Sequence, residues 1–296
     1  MINPLQWKKL IPLLIIVFIV ACIGGVFLFR RPLLIVTDLS FGQLYGEARL
    51  REKQLMASWQ LFRRVKPVII AESAGRDLAA LAVEAVSKNP CAVIFPSRYL
   101  EGAYTYKENH ENIPVIVAGT RNPRPNEETN ILFIVTDTVQ DMYRAGIFAA
   151  FLAQEDRILV FSDGMPGAQY IEAFREGLRL QNYPNPPSFY DISQENFPQS
   201  GIGCVVINGP AANYLEIEQE APIILFSWLD PAQLPGYIKL LFDDSPWALA
   251  TKAYKSLSGN ENEVLIPSDT ILLPNKNEKQ NFRNISELLK LNLQNN

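Results

Sequence analysis

Asp141-Met142-Tyr143-Arg144-Ala145-Gly146-Ile147-Phe148-Ala149-Ala150-Phe151-Leu152, followed by Arg157-Ile158-Leu159-Val160-Phe161, decides the fold class. The first part spaces apolar and small residues at helical intervals. The second is a short run too brief for a helix and apolar on both faces. Such a run reads as a parallel strand covered on both sides. Asp163-Gly164 then turns the chain into Tyr170-Ile171-Glu172-Ala173-Phe174-Arg175-Glu176-Gly177-Leu178, a second helical pattern. Helix, buried strand, turn, helix is the repeating unit of a doubly wound α/β protein.

Working outward, the same alternation fills most of the chain. Strand-like runs precede it at Leu33–Thr37, Val68–Ala71, Ala92–Phe95, Val115–Ala118 and Ile131–Val135, and follow it at Ser188–Asp191, Gly203–Ile207 and Pro222–Phe226. Phe41, Leu44, Ala48, Leu55, Trp59 and Phe62 fall near one face of a long helix, and Leu78, Leu81, Ala82, Ala85 and Val86 on another. Val139–Gln154 and Ala168–Gln181 are two more. Tyr237–Phe242 reads as a returning strand before a helix at Pro246–Leu257, with final strands at Val264–Pro267 and Thr270–Leu273. Right-handed crossovers place the loops leaving each strand on one edge of a sheet.

The expected organisation is an N-terminal membrane segment over 1–32, a first lobe over 33–154 and a second over 155–236. Hinge-return and closing segments follow over 237–274, and a polar Asn- and Lys-rich tail over 275–296, with a short helix at Ile285–Leu293. Leu10–Phe29 is uncharged and long enough to span a bilayer as a helix, flanked by Lys8, Lys9, Arg30 and Arg31. Basic residues on both flanks leave its orientation open. It reads either as an uncleaved signal anchor or as a signal ending in Ile19-Val20-Ala21-Cys22, a loose lipobox in which Cys22 is lipidated. In both readings the globular part lies against the outer face of the cytoplasmic membrane.

The composition excludes several classes. The 296 residues are 48% hydrophobic and 20% charged, so they form cores. A formal net charge of −4 without a basic stripe gives no support for a nucleic-acid partner. Cys22, Cys91 and Cys204 are too few for a disulfide framework, and the last two read as buried strand thiols. The single histidine, His110, sits in a polar stretch beside Glu108 and Glu111 and reads as solvated. No metal-ligand spacing, phosphate loop, dinucleotide fingerprint or nucleophile elbow is present, so no enzymatic role, cofactor or metal is expected.

The order of these segments resembles the type I periplasmic-binding-protein superfamily from Leu33 to about Leu273. That group includes lac-repressor-type sugar-binding domains and basic-membrane-protein lipoproteins. The resemblance rests on Asp141–Leu152 with the strand, Gly turn and aromatic-x-x-Gly helix after it, and on Pro222–Phe226 with Ala250, Ala253, Leu257 and Ser258-Gly259. Thr37-Asp38-Leu39-Ser40-Phe41-Gly42-Gln43 resembles a shortened basic-membrane-protein opening, with Gly42 where that group has Asn. It implies two parallel-sheet lobes joined by hinge crossings, with a small polar ligand, a sugar or nucleoside, held between them. A membrane segment stands where the repressors carry their DNA-binding helices. The implied role is solute binding for an ABC transporter permease or a sensor; a degenerate fold used for structural interactions is the alternative.

Candidate ligand contacts are polar or aromatic residues at strand ends. In the first lobe they are Asp38, Ser40, Phe41, Ser97, Arg98 and Asp137; Arg98 offers a planar fork for a carboxylate or phosphate. In the second they are Asp163, Asn208, Trp228 and Asp230, with Asp243 and Asp244 at the last hinge. Several have plainer readings, Asp163 as a helix cap and Asn208 as turn chemistry.

Overall fold

A computed structural model describes residues 31–70, 78–120, 130–154, 156–162, 164, 166–191, 200–208, 221–226, 238–259 and 261–272, with 15, 18, 24, 25, 27, 29 and 30 of the N-terminal segment; for 38–49 and 120 the backbone alone is described. Two six-stranded sheets organise the chain. The first has the order β11-β5-β4-β3-β1-β2, built from β1 (Leu33–Asp38), β2 (Val65–Ile70), β3 (Ala92–Pro96), β4 (Val115–Thr120), β5 (Ile131–Thr136) and β11 (Glu263–Ile266). All its pairings are parallel. The second has the order β12-β10-β9-β8-β6-β7, from β6 (Arg157–Ser162), β7 (Ser188–Asp191), β8 (Ile202–Asn208), β9 (Ile223–Phe226), β10 (Ile238–Asp243) and β12 (Asp269–Leu272). Only the β10–β12 pair is antiparallel.

The sheets follow from strand composition. Leu34, Val36, Val93, Phe95, Val115, Val117, Phe133 and Val135 face one side of the first sheet and pack with Ala79, Ala80 and Val83 of α2 (Leu78–Val86) and Ala103 and Tyr106 of α3 (Leu100–Asn109). Leu33, Ile35, Ile94, Ile116 and Ile134 face the other, against Ala57 and Leu61 of α1 (Leu39–Leu61) and Trp247, Ala250 and Ala253 of α6 (Pro246–Ser256). Alternate residues thus bury on both faces, as a parallel sheet requires. In the second sheet Ile158, Val160, Cys204, Val206, Ile224 and Phe242 pack on α4 (Thr138–Ala153) and α5 (Ala168–Leu180).

The chain changes sheets earlier than the sequence suggests. A first lobe running to 154 would include α4, yet α4 packs on β6, β8 and α5. Its apolar face matches the second sheet, so the crossing falls between Thr136 and Thr138. Likewise the 237–274 stretch is not a separate hinge unit. β10 and β12 belong to the second sheet, whereas α6 and β11 belong to the first.

The inward face of α1 also differs from its apolar periodicity. Leu55 and Trp59 point to solvent, Trp59 at 79% exposure. Lys53, Gln54, Ala57, Ser58 and Leu61 turn inward instead. Polar contacts decide this rotation: Gln54 Nε2 donates to the Val65 carbonyl at 2.8 Å, and the Val65 amide donates to Ser58 Oγ at 3.1 Å. Cys204 is buried in β8, whereas Cys91 is half-buried and precedes β3. No helix among the described residues is long and apolar enough to cross a membrane; most of Leu10–Phe29, with Cys22, and the Ile285–Leu293 tail lie outside them.

α4 and α5 cross at Gly146 and Gly177. A Cβ on Gly146 would lie 2.2 Å from the Phe174 carbonyl oxygen, and one on Gly177 would lie 2.1 Å from that of Tyr143. The helices touch backbone to backbone, and a methyl group at either position must push them apart. Gly177→Ala is expected to cost roughly 2–3 kcal/mol by overpacking, readable as a fall in the midpoint of chemical unfolding; an unchanged midpoint would show that the crossing relaxes freely.

Candidate functional site

Among the described residues three segments join the sheets, and all three leave from strand C-terminal ends. The first is Thr136–Thr138, between β5 and α4. The second runs from Asp243 at the end of β10 to Pro246 at the start of α6. The third, Ile266–Asp269, joins β11 to β12, whose Asp269 pairs with Asp243. The C-terminal edges of both sheets are therefore drawn together at these crossings.

Local sequence explains how each crossing turns. Asp137 caps α4, its side chain accepting from the Gln140 amide at 3.0 Å. Ser245 caps α6 by accepting from the Ala248 amide at 3.2 Å, and Pro246 follows where a missing N–H costs nothing. The Asp137 amide donates to the Ile266 carbonyl at 3.0 Å, tying the first crossing to the third.

A buried charge network binds the crossings further. Asp141 Oδ1 accepts from Arg144 Nη1 at 3.0 Å and from the Ser268 amide at 3.1 Å; Asp141 Oδ2 accepts from Ser268 Oγ. Arg144 Nη1 also donates to the Ser268 carbonyl at 2.8 Å, and its guanidinium lies 5.2 Å from the centre of the Phe242 ring. Thr136 Oγ1 donates to Asp244 Oδ2 at 3.1 Å, linking the first crossing to the second. Lys53 Nζ of α1 reaches Asp243 Oδ2 at 2.9 Å, while Asp243 Oδ1 accepts from the Ser245 amide. Burial pushes the Asp141 carboxyl up, opposed by Arg144 and Ser268. It pulls the Arg144 guanidinium down, opposed by Asp141 and Asp269. Desolvation thus works against both charges, and each keeps its place through the other.

The expected contacts distribute along these edges. Asp38 ends β1 and passes directly into α1, so Ser40 and Phe41 stand in the first turn of that helix rather than in a loop. Ser97 and Arg98 form the 3₁₀ turn after β3; Ser97 Oγ donates to the Gly119 carbonyl at 3.1 Å, and exposed Arg98 lies over the Tyr99 ring. Asp38, Ser97, Arg98 and Asp137 thus share one edge of the first sheet. Asn208 ends β8 in register with Ser162 and Phe226, on the matching edge of the second. Asp244 is buried at the second crossing. Asp163, Trp228, Asp230 and Cys22 lie outside the described residues.

His110 is not the solvated loop residue expected. It ends α3, its Nε2 sits 3.0 Å from Glu84 Oε1, and its ring lies 4.5 Å from that of Tyr106. Among the described residues no cluster of three His, Cys, Asp or Glu side chains is arranged to hold a metal. Sequence reasoning missed Asp141, Arg144, Ser268, Lys53 and Thr136 as a unit. One signal was available: an Asp and an Arg at i, i+3 inside an otherwise apolar helix.

No protein-family model matches the chain, and no curated protein matches its sequence. Solved structures do. A periplasmic solute-binding protein of an ABC transporter from Actinobacillus succinogenes, with bound D-allose, shares 14% identity at a TM-score of 0.51; the match covers 85% of this chain and 100% of that one. A LacI transcriptional regulator from a Rhodococcus species has 14% identity and a TM-score of 0.49, covering 82% and 96%. The binding protein of the arabinose ABC transporter from Shewanella sp. ANA-3, bound to L-arabinofuranose, has 13% identity and a TM-score of 0.46, covering 88% and 97%. The chain has the type I periplasmic-binding-protein fold.

Removing one partner of the buried pair should be far worse than removing both charges. Arg144→Met is expected to cost about 3–5 kcal/mol by stranding Asp141. Adding Asp141→Asn should recover most of that loss, a coupling measured by a double-mutant cycle in denaturant. Additive losses would mean that the two charges do not sense each other.

Proposed function

We propose that this chain is an extracytoplasmic solute-binding protein, tethered to the cytoplasmic membrane by Leu10–Phe29, that binds a small sugar between its lobes for an ABC transporter or a membrane sensor. The reading rests on one observation above the rest: three crossings draw the C-terminal edges of two parallel sheets together. Ligands of open α/β sheets bind at such edges, where helix N-termini and loop side chains converge. The D-allose-bound protein of the same fold supports the choice of a sugar over other solutes.

Asp38 and Arg98 from the first sheet and Asn208 from the second are the residues assigned to the ligand, whereas Asp244, buried and held by Thr136, keeps the second crossing in place. Carboxylate, guanidinium and amide groups together offer acceptors and donors to the hydroxyls of a sugar ring. Asp163 and Trp228 complete the set, the indole as an apolar face for the ring. Ser97 and Asp137 are already committed, to the Gly119 carbonyl and to the α4 cap, and serve to hold the edge in shape. No catalytic role is assigned.

A panel of aldoses, pentoses and nucleosides in a thermal-shift screen tests the reading. A ligand at a hundred times its Kd stabilises the folded form by about 2.7 kcal/mol, a rise of roughly 5 °C or more for a chain of this size. Arg98→Gln should weaken the responding sugar about tenfold or more, the worth of a hydrogen bond to a charged group, as followed by calorimetric titration. A panel without a single shift would favour the structural role on a degenerate binding fold. Intact-mass measurement of protein extracted from membranes should return a chain that retains Leu10–Phe29; a diacylated N-terminal Cys22 would make it a lipoprotein instead.

A further inference from the structure

The end of the first lobe opposite the crossings carries a charge pattern that ligand binding does not use. β1 and β2 are parallel neighbours in the register Leu33↔Val65. Each is entered through a pair of arginines, Arg30-Arg31 before β1 and Arg63-Arg64 before β2. The register therefore sets the two pairs side by side. Arg63 Nη1 donates to the Arg31 carbonyl at 3.3 Å and Arg64 Nη2 to the Arg30 carbonyl at 3.5 Å. Among the described residues no carboxylate pairs with any of the four.

Apolar groups adjoin this cluster. The Phe27 ring packs edge-on against Phe62 at 6.1 Å, and the Arg30 guanidinium lies 5.5 Å from the centre of the same Phe62 ring. The end of the apolar run is thus seated on the lobe itself, without an intervening linker. Trp59, in the last turn of α1 and 79% exposed, stands beside Phe62, whose amide donates to the Trp59 carbonyl at 3.2 Å. An exposed Trp next to arginines, at the mouth of an apolar segment, is the residue set that a bilayer interface selects.

We propose that this base, made of Arg30, Arg31, Arg63, Arg64 and Trp59, is a docking surface for anionic lipid headgroups of the bilayer entered by the apolar run. The inference rests on the tethered reading given above. Phosphate oxygens complement four guanidinium groups that have no carboxylate partner among the described residues, although Arg63 also lies 4.7 Å from the centre of the Tyr254 ring, and Arg engages phosphates through its fork. Each basic residue held at an anionic surface contributes roughly a fivefold increase in association. Carboxylates on the same edge stand farther along it: Glu111 precedes β4, two strands from β1, and Glu261 precedes β11, at the far end of the sheet. The lobe would rest on its β1–β2 corner, with its strand C-terminal edge turned away from the membrane.

The full chain, reconstituted in nanodiscs of phosphatidylcholine with or without phosphatidylglycerol, tests this. The reporter is that part of the tryptophan emission which Trp59→Phe removes, quenched by lipids brominated near the headgroup. Quenching is expected to be strong in discs containing phosphatidylglycerol. It should be weak in phosphatidylcholine alone, and reduced severalfold by the double change Arg63→Gln and Arg64→Gln. For unmodified protein, salt near 1 M, which shortens the Debye length to about 3 Å, should release it, a control that needs no variant. Quenching that ignores both lipid charge and salt, or is absent, overturns the docking surface while leaving the tether intact. Failure of the chain to remain with the discs overturns the tether and the surface together.

Discussion

The buried pair Asp141–Arg144 and its clamp on Ser268 hold the molecule in one architecture. A sheet pair joined three times has three places where backbone must leave regular structure in a region poor in water. Each leaves polar groups that need partners. Here the side chains of one crossing satisfy the backbone of another: Asp141 and Arg144 from the helix after the first crossing take both the amide and the carbonyl of Ser268 in the third. Thr136 and Asp244 join the first crossing to the second. Two opposite charges are tolerated in the interior because no lone charge could be.

The same network occupies the strand-end polar groups nearest the crossings. Residues next to the crossings, Asp137 above all, are committed to keeping the chain in place. Asp38, Arg98 and Asn208 stand farther along the two edges, at the ends of β1, β3 and β8. Such a division would serve the proposed binding role, in which the connections persist while the edges rearrange. Buried hydrogen bonds concentrated at the crossings oppose local unfolding there.

The sheets were legible because fully buried parallel strands leave short, continuous apolar runs, and each of these is found within a residue or a few of its place. The crossings were legible only in part. Periodicity assigns Val139–Gln154 to a helix but cannot say which sheet that helix covers, since both present the same apolar surface; the split therefore lands one helix late. The face of α1 was misread for a related reason. Leu55 and Trp59 satisfy a 3.6-residue period, but Gln54 and Ser58 hold the backbone of β2 while Ala57 and Leu61 pack in the core on the same face. Candidate contacts such as Asp38 and Asn208 could be picked as strand ends, and Asp141 with Arg144 left a local i, i+3 signal, whereas Ser268 lies 127 residues from Asp141 and Asp243 lies 190 residues from Lys53, pairings that carry no local signal.

Strand order supplies a last consequence. Among the described residues every connection between the sheets springs from β5 and β11 on one side and β10 and β12 on the other, the last two strands at one margin of each sheet. The fulcrum is therefore at one margin, and β2 and β7 are the free rims. Five strand spacings of about 4.8 Å make a lever of roughly 24 Å. A swing of only 10° at the fulcrum sweeps the rim of a sheet through about 4 Å, close to the thickness of a pyranose ring. Small readjustments at Ser268 or Asp244 would thus be geared up into far larger displacements at the free rims.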